Sequence, residues 1–579
     1  MKVIFKNMKE KEFILLILII LDVIGQVALE LKMPEYTAKL TQIVSSSSSS
    51  INMSDVWYNG GMMIACAFAS LALALLNAVF ISTFSSGITR RIRDKFFTKV
   101  NKLSLAEINK FETSSLITRT TNDVVQVQNF LGMGTGLLFR APITAIWAIS
   151  KISQSHIYWT LSTVVAVLII LVVVILVVLL ALPKFKKIQT LTDELNLRSR
   201  ENMQGVRVIR AFDANEYQTK KYEETNNKVY HNNLFTSLVS GALMPIITLV
   251  MEGLTLAIYY FGGYIIDEAE GIEKANALAN MTAFTSYALQ VVMAFMMLIM
   301  IFMLLPRVLV SLKRINEVLE TKSSIKNGNK ENNIHDGTIE FRDVCFSYSN
   351  DDKYTISDIN FTLKKGETLA IIGSTGAGKT TLANLINRSY DVTKGEILID
   401  GMNVKDYKLS DLNKRVSIAH QKANLFKGSV KSNICYGAKE INNDRLNQVI
   451  NTSNSNFIND YDGLDTEIAQ CATNLSGGQK QRISIARALY KDSDIYIFDD
   501  TFSALDFKTD SMVRKAIKEN YSDKTVIIIA QRIGTVMNAD KIMVLNDGKI
   551  DSIGTHEELL KSSKLYQEIA LSQLDKEEL

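Results

Sequence analysis

Eight consecutive residues, Gly373-Ser374-Thr375-Gly376-Ala377-Gly378-Lys379-Thr380, have the composition and order needed to hold a phosphate chain. The glycines let backbone N–H groups approach phosphate oxygens, and a helix starting at the loop adds partial positive charge. Lys379 is expected to reach the β- and γ-phosphates, and the Thr380 hydroxyl to ligate Mg²⁺, with Thr381 completing the contact surface. The apolar run Leu369–Ile372 precedes the loop and the helical stretch Thr381–Asn387 follows it. Strand, glycine-rich turn and helix is the context this chemistry demands. The loop points to ATP with Mg²⁺; it does not by itself separate a transporter from a kinase or a GTPase.

Two further groups extend the site. The apolar run Ile495-Tyr496-Ile497-Phe498 ends in Asp499-Asp500, so a buried strand delivers a carboxylate at its C-terminal end and Asp499 is assigned to Mg²⁺. Between loop and strand lies Leu475-Ser476-Gly477-Gly478-Gln479, followed by Lys480-Gln481-Arg482. Its glycines permit close backbone approach and its serine can donate to phosphate, so at a helix start it fits a γ-phosphate across a dimer interface. As a bare pattern it also fits a flexible turn.

In this order the motifs resemble those of ABC transporter ATPase domains over essentially all of 337–579. By that resemblance Tyr348, in Phe346-Ser347-Tyr348, stacks on adenine. Gln421 senses Mg²⁺ and faces the membrane domain, and Ser503-Ala504-Leu505-Asp506 forms the D-loop. The N-terminal half is similar to ABC exporters, including Phe111-Glu112-Thr113-Ser114-Ser115-Leu116 and Leu305-Pro306-Arg307. The resemblance implies two chains paired head-to-tail, each ATP lying between one chain's phosphate loop and the other's signature.

The chain departs from the family pattern at two positions that matter for hydrolysis. Asp500 stands where competent sites carry Glu, and Gln531, in Thr525-Val526-Ile527-Ile528-Ile529-Ala530-Gln531-Arg532, stands where they carry a switch His. Asp is one methylene shorter, which sets its carboxylate back by about an ångström; such a misplacement can cost on the order of 10²-fold in rate. Gln531 can hydrogen-bond a γ-phosphate but cannot take a proton near neutral pH. The run Ala469-Gln470-Cys471-Ala472 before the signature also departs from the pattern. The expectation is a degenerate-site subunit whose partner is a second half-transporter with the catalytic Glu and switch His intact. A slow homodimer and an ATP-binding membrane receptor are the competing readings.

These groups need scaffolds. Six apolar stretches near 13–33, 59–83, 132–153, 157–182, 237–265 and 279–305 approach or exceed the roughly 20 residues of a membrane span. Arg90, Arg91, Arg93, Lys95, Lys99 and Lys102 follow the second, and Lys184, Lys186, Lys187, Arg198, Arg200, Arg207 and Arg210 follow the fourth; the loop from Val44 to Trp57 has neither Lys nor Arg. The positive-inside rule then places both termini in the cytoplasm of a multi-pass inner-membrane protein. The net charge of +4 reflects these flanks, so no nucleic-acid partner is expected. A signal peptide after Lys2, Lys6, Lys9 and Lys11 is disfavoured, because no small-residue cleavage pattern follows and the run continues.

The basic segments 84–131 and 183–236 read as helices running on into the cytoplasm and turning back near Glu112–Ser115 and Phe212–Asn215. By the resemblance, these turns are coupling helices. Asp22, Gln26 and Glu30 share one face and, with Glu252 and Gln290, either line a cavity for cationic amphipathic substrates or tie helices together. Met293, Met296, Met297, Met300 and Met303 suit promiscuous apolar binding or plain packing against lipid. Ser45–Ser50 reads as an external flexible loop. Cys66, Cys345, Cys435 and Cys471 lack metal spacing and predict neither a disulfide nor a zinc site. The expected fold class is an α-helical membrane domain with six transmembrane helices plus an α/β P-loop ATPase domain. Its boundaries are 1–320 for the membrane domain, 321–336 for a linker and 337–579 for the ATPase domain.

Overall fold

Apolar residues long enough to cross a bilayer must satisfy their own backbone groups, and helices do so within each segment. The computed structural model describes residues 2–45, 52–153, 155–270, 272–348 and 353–574. The membrane-spanning helices among them are α1 (Glu10–Ser45), α2 (Met53–Val100), α4 (Thr113–Ile152), α5 (Ile157–Ala211), α6 (Asn215–Glu268) and α7 (Ile272–Glu320), with the short α3 (Leu105–Phe111) between α2 and α4. Each expected span falls on one of these helices, the third overrunning the end of α4 by a single residue, and all six helices run well beyond the length of a bilayer crossing.

The chain divides into two units, Met1–Thr98 with Ser115–Glu320, and Lys99–Ser114 with Thr321–Leu579. In the first, α1 packs on α4 and α7, and α5 on α6. Polar contacts pin these helices together: Tyr287 Oη donates to Leu31 O at 3.2 Å, and Trp159 Nε1 to Ile258 O at 3.1 Å. Arg140 donates to both carboxylate oxygens of Glu30 at 2.7 and 2.9 Å. Glu30 is therefore paired with an arginine on α4, a tie between helices. Asp22 and Gln26 are buried, Glu252 is exposed, and Met293 and Met300 face outward. Residues 46–50 and the side chains of Lys2, Lys186 and Met303 lie outside the described parts.

In the second unit a six-stranded sheet has the order β10-β9-β3-β8-β7-β6. The strands are β3 (Thr368–Gly373), β6 (Val416–Ala419), β7 (Ile495–Asp499), β8 (Thr525–Ile529), β9 (Lys541–Asn546) and β10 (Lys549–Gly554). The five from β9 to β6 pair in parallel, so β3, β7 and β8 end at one edge. All residues of β7 and β8 are buried, which explains their unbroken apolar runs. A four-stranded antiparallel sheet, β2-β1-β4-β5, is built from β1 (Ile339–Phe346), β2 (Ile356–Leu363), β4 (Lys394–Ile399) and β5 (Met402–Asn403).

Two stretches depart from the expected boundaries. Residues 321–336 are not a free linker. Gly328 N donates to Tyr407 O and Lys330 N to Asp406 O, each at 3.1 Å, and Asn332 Nδ2 donates to Tyr407 Oη at 3.0 Å. A Cβ at Gly328 would meet Asp406 O at 2.2 Å, so the segment lies close against the Asp406–Tyr407 turn that follows β5. The first of the two turns begins at Val100, and α3 within it belongs to the second unit. Ser104 and Glu107 cap that helix reciprocally; Ser324 N donates to Glu107 Oε1 at 3.2 Å and Asn109 Nδ2 to Tyr390 Oη at 3.3 Å. The second turn falls at 212–214, where it was expected.

Candidate nucleotide site

β3 runs into the glycine-rich turn and α8 (Lys379–Ile386) leaves it. Two of its positions tolerate only glycine. A Cβ on Gly373 would lie 2.1 Å from Leu545 O, and Gly378, at φ +100°, would press one onto Ile356 Cγ2 at 2.6 Å. The loop curls back on its lysine: Lys379 Nζ donates to Gly373 O at 2.7 Å and Ser374 O at 2.8 Å. Burial lowers the Lys379 pKa, and the charges of Asp500 and Asp499 oppose the shift.

β7 carries Asp499, 2% exposed, to within 3.0 Å of the Thr380 hydroxyl, which donates to its Oδ1. Burial raises the Asp499 pKa; the Thr380 hydrogen bond opposes this, Asp500 adds to it and Lys379 opposes it. Hydroxyl and carboxylate side by side are hard oxygen donors. Among the described residues no three His, Cys, Asp or Glu side chains cluster to hold a metal. Thr380 and Asp499 therefore fit a Mg²⁺ ion that completes its shell from phosphate and water oxygens. Such an ion would draw charge from the phosphate oxygens during transfer.

Asp500 turns away from the strand in the left-handed region, at φ +48°, with its N–H on Ile529 O. Its Oδ2 accepts from Gln421 Nε2 at 3.0 Å and from Gln531 Nε2 at 2.8 Å. Its Oδ1 is buried and has no partner among the described residues. The site thus brings together four positions separated by up to 152 residues: Lys379, Gln421, the Asp499-Asp500 pair and Gln531. With its amide nitrogen on Asp500, Gln421 presents Oε1 as the atom for a cation. Gln481 Nε2 holds the Gln421 carbonyl at 2.6 Å, a positioning role the sequence reading missed although the residue stands two places after the signature.

Tyr348 is half exposed and ties its hydroxyl to Thr381 Oγ1 at 3.0 Å. Tyr390 and Phe346 meet its ring edge-on at 5.1 and 4.8 Å, leaving an aromatic face for a base. The signature lies at the start of α9 (Gly477–Tyr490). Ser476 Oγ accepts from Gln479 N and Gln479 Oε1 accepts from Ser476 N, a capping box that fixes the helix start. Leu475 is buried, Gly477 is open, and a Cβ on Gly478 would lie 3.2 Å from Ala504 O. Asp506 caps α10 (Phe507–Asn520) by accepting from Thr509 N at 3.0 Å, and that bond holds its carboxyl below the usual range.

Comparison with known proteins agrees with this geometry. Residues 15–295 match the ABC transporter transmembrane region and residues 356–503 the ABC transporter family. An uncharacterized ABC transporter ATP-binding protein of Mycobacterium bovis is 34% identical over 519 residues, 89% of this chain and 87% of its own length. An ATP-dependent lipid A-core flippase of Syntrophus aciditrophicus is 28% identical over 500 residues, 85% of this chain and 81% of its own. The structure of a bacterial Atm1-family ABC exporter with ATP bound shares the fold, with a TM-score of 0.80, 22% identity and coverage of 97% of this chain and 98% of that one. On these matches the chain belongs to the ABC transporter family, as a multi-pass, ATP-hydrolysing half-transporter.

Proposed function

We propose that this chain is the degenerate-site subunit of a heterodimeric ABC exporter that moves amphipathic small molecules, lipids or peptides. The observation that carries the reading is the pair of amide N–H groups on Asp500 Oδ2. A general base must reach the attacking water with a free oxygen. Here the shorter carboxylate is held in place by Gln421 and Gln531, and only the buried Oδ1 is left. That oxygen keeps slow hydrolysis open; the site is retarded, not dead.

The rest of the nucleotide machinery is retained. Lys379 faces the β- and γ-phosphates, loop 373–378 supplies backbone donors, Thr380 and Asp499 take Mg²⁺, and Tyr348 stacks on adenine. Gln531 gives the γ-phosphate a neutral neighbour. The signature, 475–479, completes the site of a partner whose own catalytic Glu and switch His do the fast chemistry. ATP closes the two ATPase domains, the turns at 101–112 and 212–214 pass the motion to the membrane helices, and hydrolysis on the partner side resets them. The charge distribution supports cytoplasmic termini. The name of the flippase relative supports a lipid-like substrate class, and the Arg140–Glu30 pair removes Glu30 as a counter-charge for cations.

The test is transport by the reconstituted pair. Replacing the partner's catalytic Glu by Gln stops export on this reading, whereas Asp500→Asn in this chain leaves most of it. Export that survives the partner's substitution would overturn it.

A further inference from the structure

The last helix described, α12 (Lys564–Leu571), is anchored by the fully buried Tyr566 and Ala570. Two residues beyond it Gln573 turns its side chain toward the backbone that follows β8. Its Nε2 donates to Gln531 O at 2.9 Å, and its Oε1 accepts from Ile533 N at 2.9 Å. Ile533 opens the short helix α11 (Ile533–Val536), whose N-cap, Arg532, makes no side-chain capping bond. The Ile533 N–H is one of the donors a helix start leaves open, and Gln573 satisfies it from far along the chain. One planar amide therefore spans residues 531–533 and fixes both the carbonyl where the segment begins and the amide where it ends.

The side chain of the residue so held is the one that reaches Asp500 at 2.8 Å. We propose that Gln573 is a positioning residue for the nucleotide site: it sets the reach of Gln531 toward Asp500 and the bound phosphates from the end of the C-terminal helix. It touches neither, so it acts only through Gln531. This rests on the reading of Gln531 as the neighbour of the γ-phosphate. A planar amide with two bonds on one short segment restrains rotation that one bond would allow, and shifts near 1 Å at such a site are felt in rate.

Four forms of the full-length chain test it: unmodified, Gln573→Ala, Gln531→Ala and the double variant. Each is loaded with radiolabelled ATP and Mg²⁺ and chased with unlabelled ATP. Gln573→Ala is expected to speed release about fivefold, the effect of losing a net hydrogen bond or so. Gln531→Ala is expected to do at least as much, and the double variant to release no faster than Gln531→Ala alone. Gln573→Glu, which keeps the acceptor for Ile533 N and loses the donor to Gln531 O, falls between. Unchanged release in Gln573→Ala, or effects that add in the double variant, overturns the proposal; a merely structural loss would add. Release from the unmodified chain as fast as from Gln531→Ala would sink the retention reading instead. The clamp is then judged by hydrogen exchange at the Ile533 amide, which Gln573→Ala must accelerate; no acceleration overturns it.

Discussion

Gln531 Nε2 sits 2.8 Å from Asp500 Oδ2, so the two residues that depart from the family pattern are bonded to each other. On the proposed degenerate-site reading the two act together, the amide occupying a carboxylate that the shorter side chain draws back. Asp500→Glu alone should raise the turnover of the isolated chain only severalfold, because Gln531 still holds the carboxylate. Asp500→Glu with Gln531→His should approach the roughly 10²-fold gain expected from restoring an ångström-scale misplacement. Steady-state ATPase assays of the two variants check this, and equal gains would refute the coupling.

Asp499 carries a stability cost. Burial, reinforced by Asp500, sets its folded-state pKa above the unfolded value despite the opposing Thr380 and Lys379. Between those two values the folded state holds more protons, so stability falls as pH rises through that window. Above the folded value the whole cost is present, and below the unfolded value it is absent. Asp499→Asn should therefore raise the melting temperature of the nucleotide-free chain at pH 7 by a few degrees, about 2–4 °C for each kcal/mol recovered. The gain should vanish in acid, and Mg²⁺-dependent ATP binding should be lost. A variant that melts lower at neutral pH would contradict this.

Lys379 gives a second pH signature, in binding and on the alkaline side. Its pKa is lowered by burial against the pull of Asp500 and Asp499, and bound phosphate charge would raise it again. ATP affinity should stay level while the free lysine is charged and fall as pH rises through its lowered value, earlier than for an ordinary lysine. Lys379→Arg should flatten that alkaline decline. Titration calorimetry across alkaline pH reads it directly.

In the membrane unit Arg140 and Glu30 are each about one-third exposed and share two hydrogen bonds. Removing either partner leaves an unpaired charge within the bundle, costing at most about 2.5–3.5 kcal/mol, the cost on insertion scales of a charge at the centre of a span. Arg140→Met and Glu30→Gln should each lower thermal stability in detergent, and the double variant should recover most of the loss. Additive losses would show that the pair is incidental.

What could be read from the chain follows the range of the interactions. The phosphate loop, the Asp499-Asp500 strand end and the signature are local patterns, so type and spacing were enough to place them at a strand-turn-helix junction, a strand end and a helix start. The six spans were legible because a bilayer requires length. The partner of Glu30 was not, since Arg140 stands alone in an apolar run and only helix packing brings the two together. Residues 321–336 look like a linker by composition, yet the Asp406–Tyr407 turn takes them up through backbone bonds that composition does not encode. Gln481 and Gln573 are single glutamines. Their roles arise from which carbonyl the fold places opposite, Gln421 in one case and Gln531 in the other.

The central claim is asymmetry, and it is tested most directly by measuring ATP turnover and nucleotide retention of the purified chain, alone and mixed with candidate half-transporters. The account predicts little turnover and slowly released ATP for the chain alone, with strong activity only in a mixed complex. Robust turnover by the chain alone would contradict it, showing that Asp500 and Gln531 suffice and that two copies of this chain make the transporter.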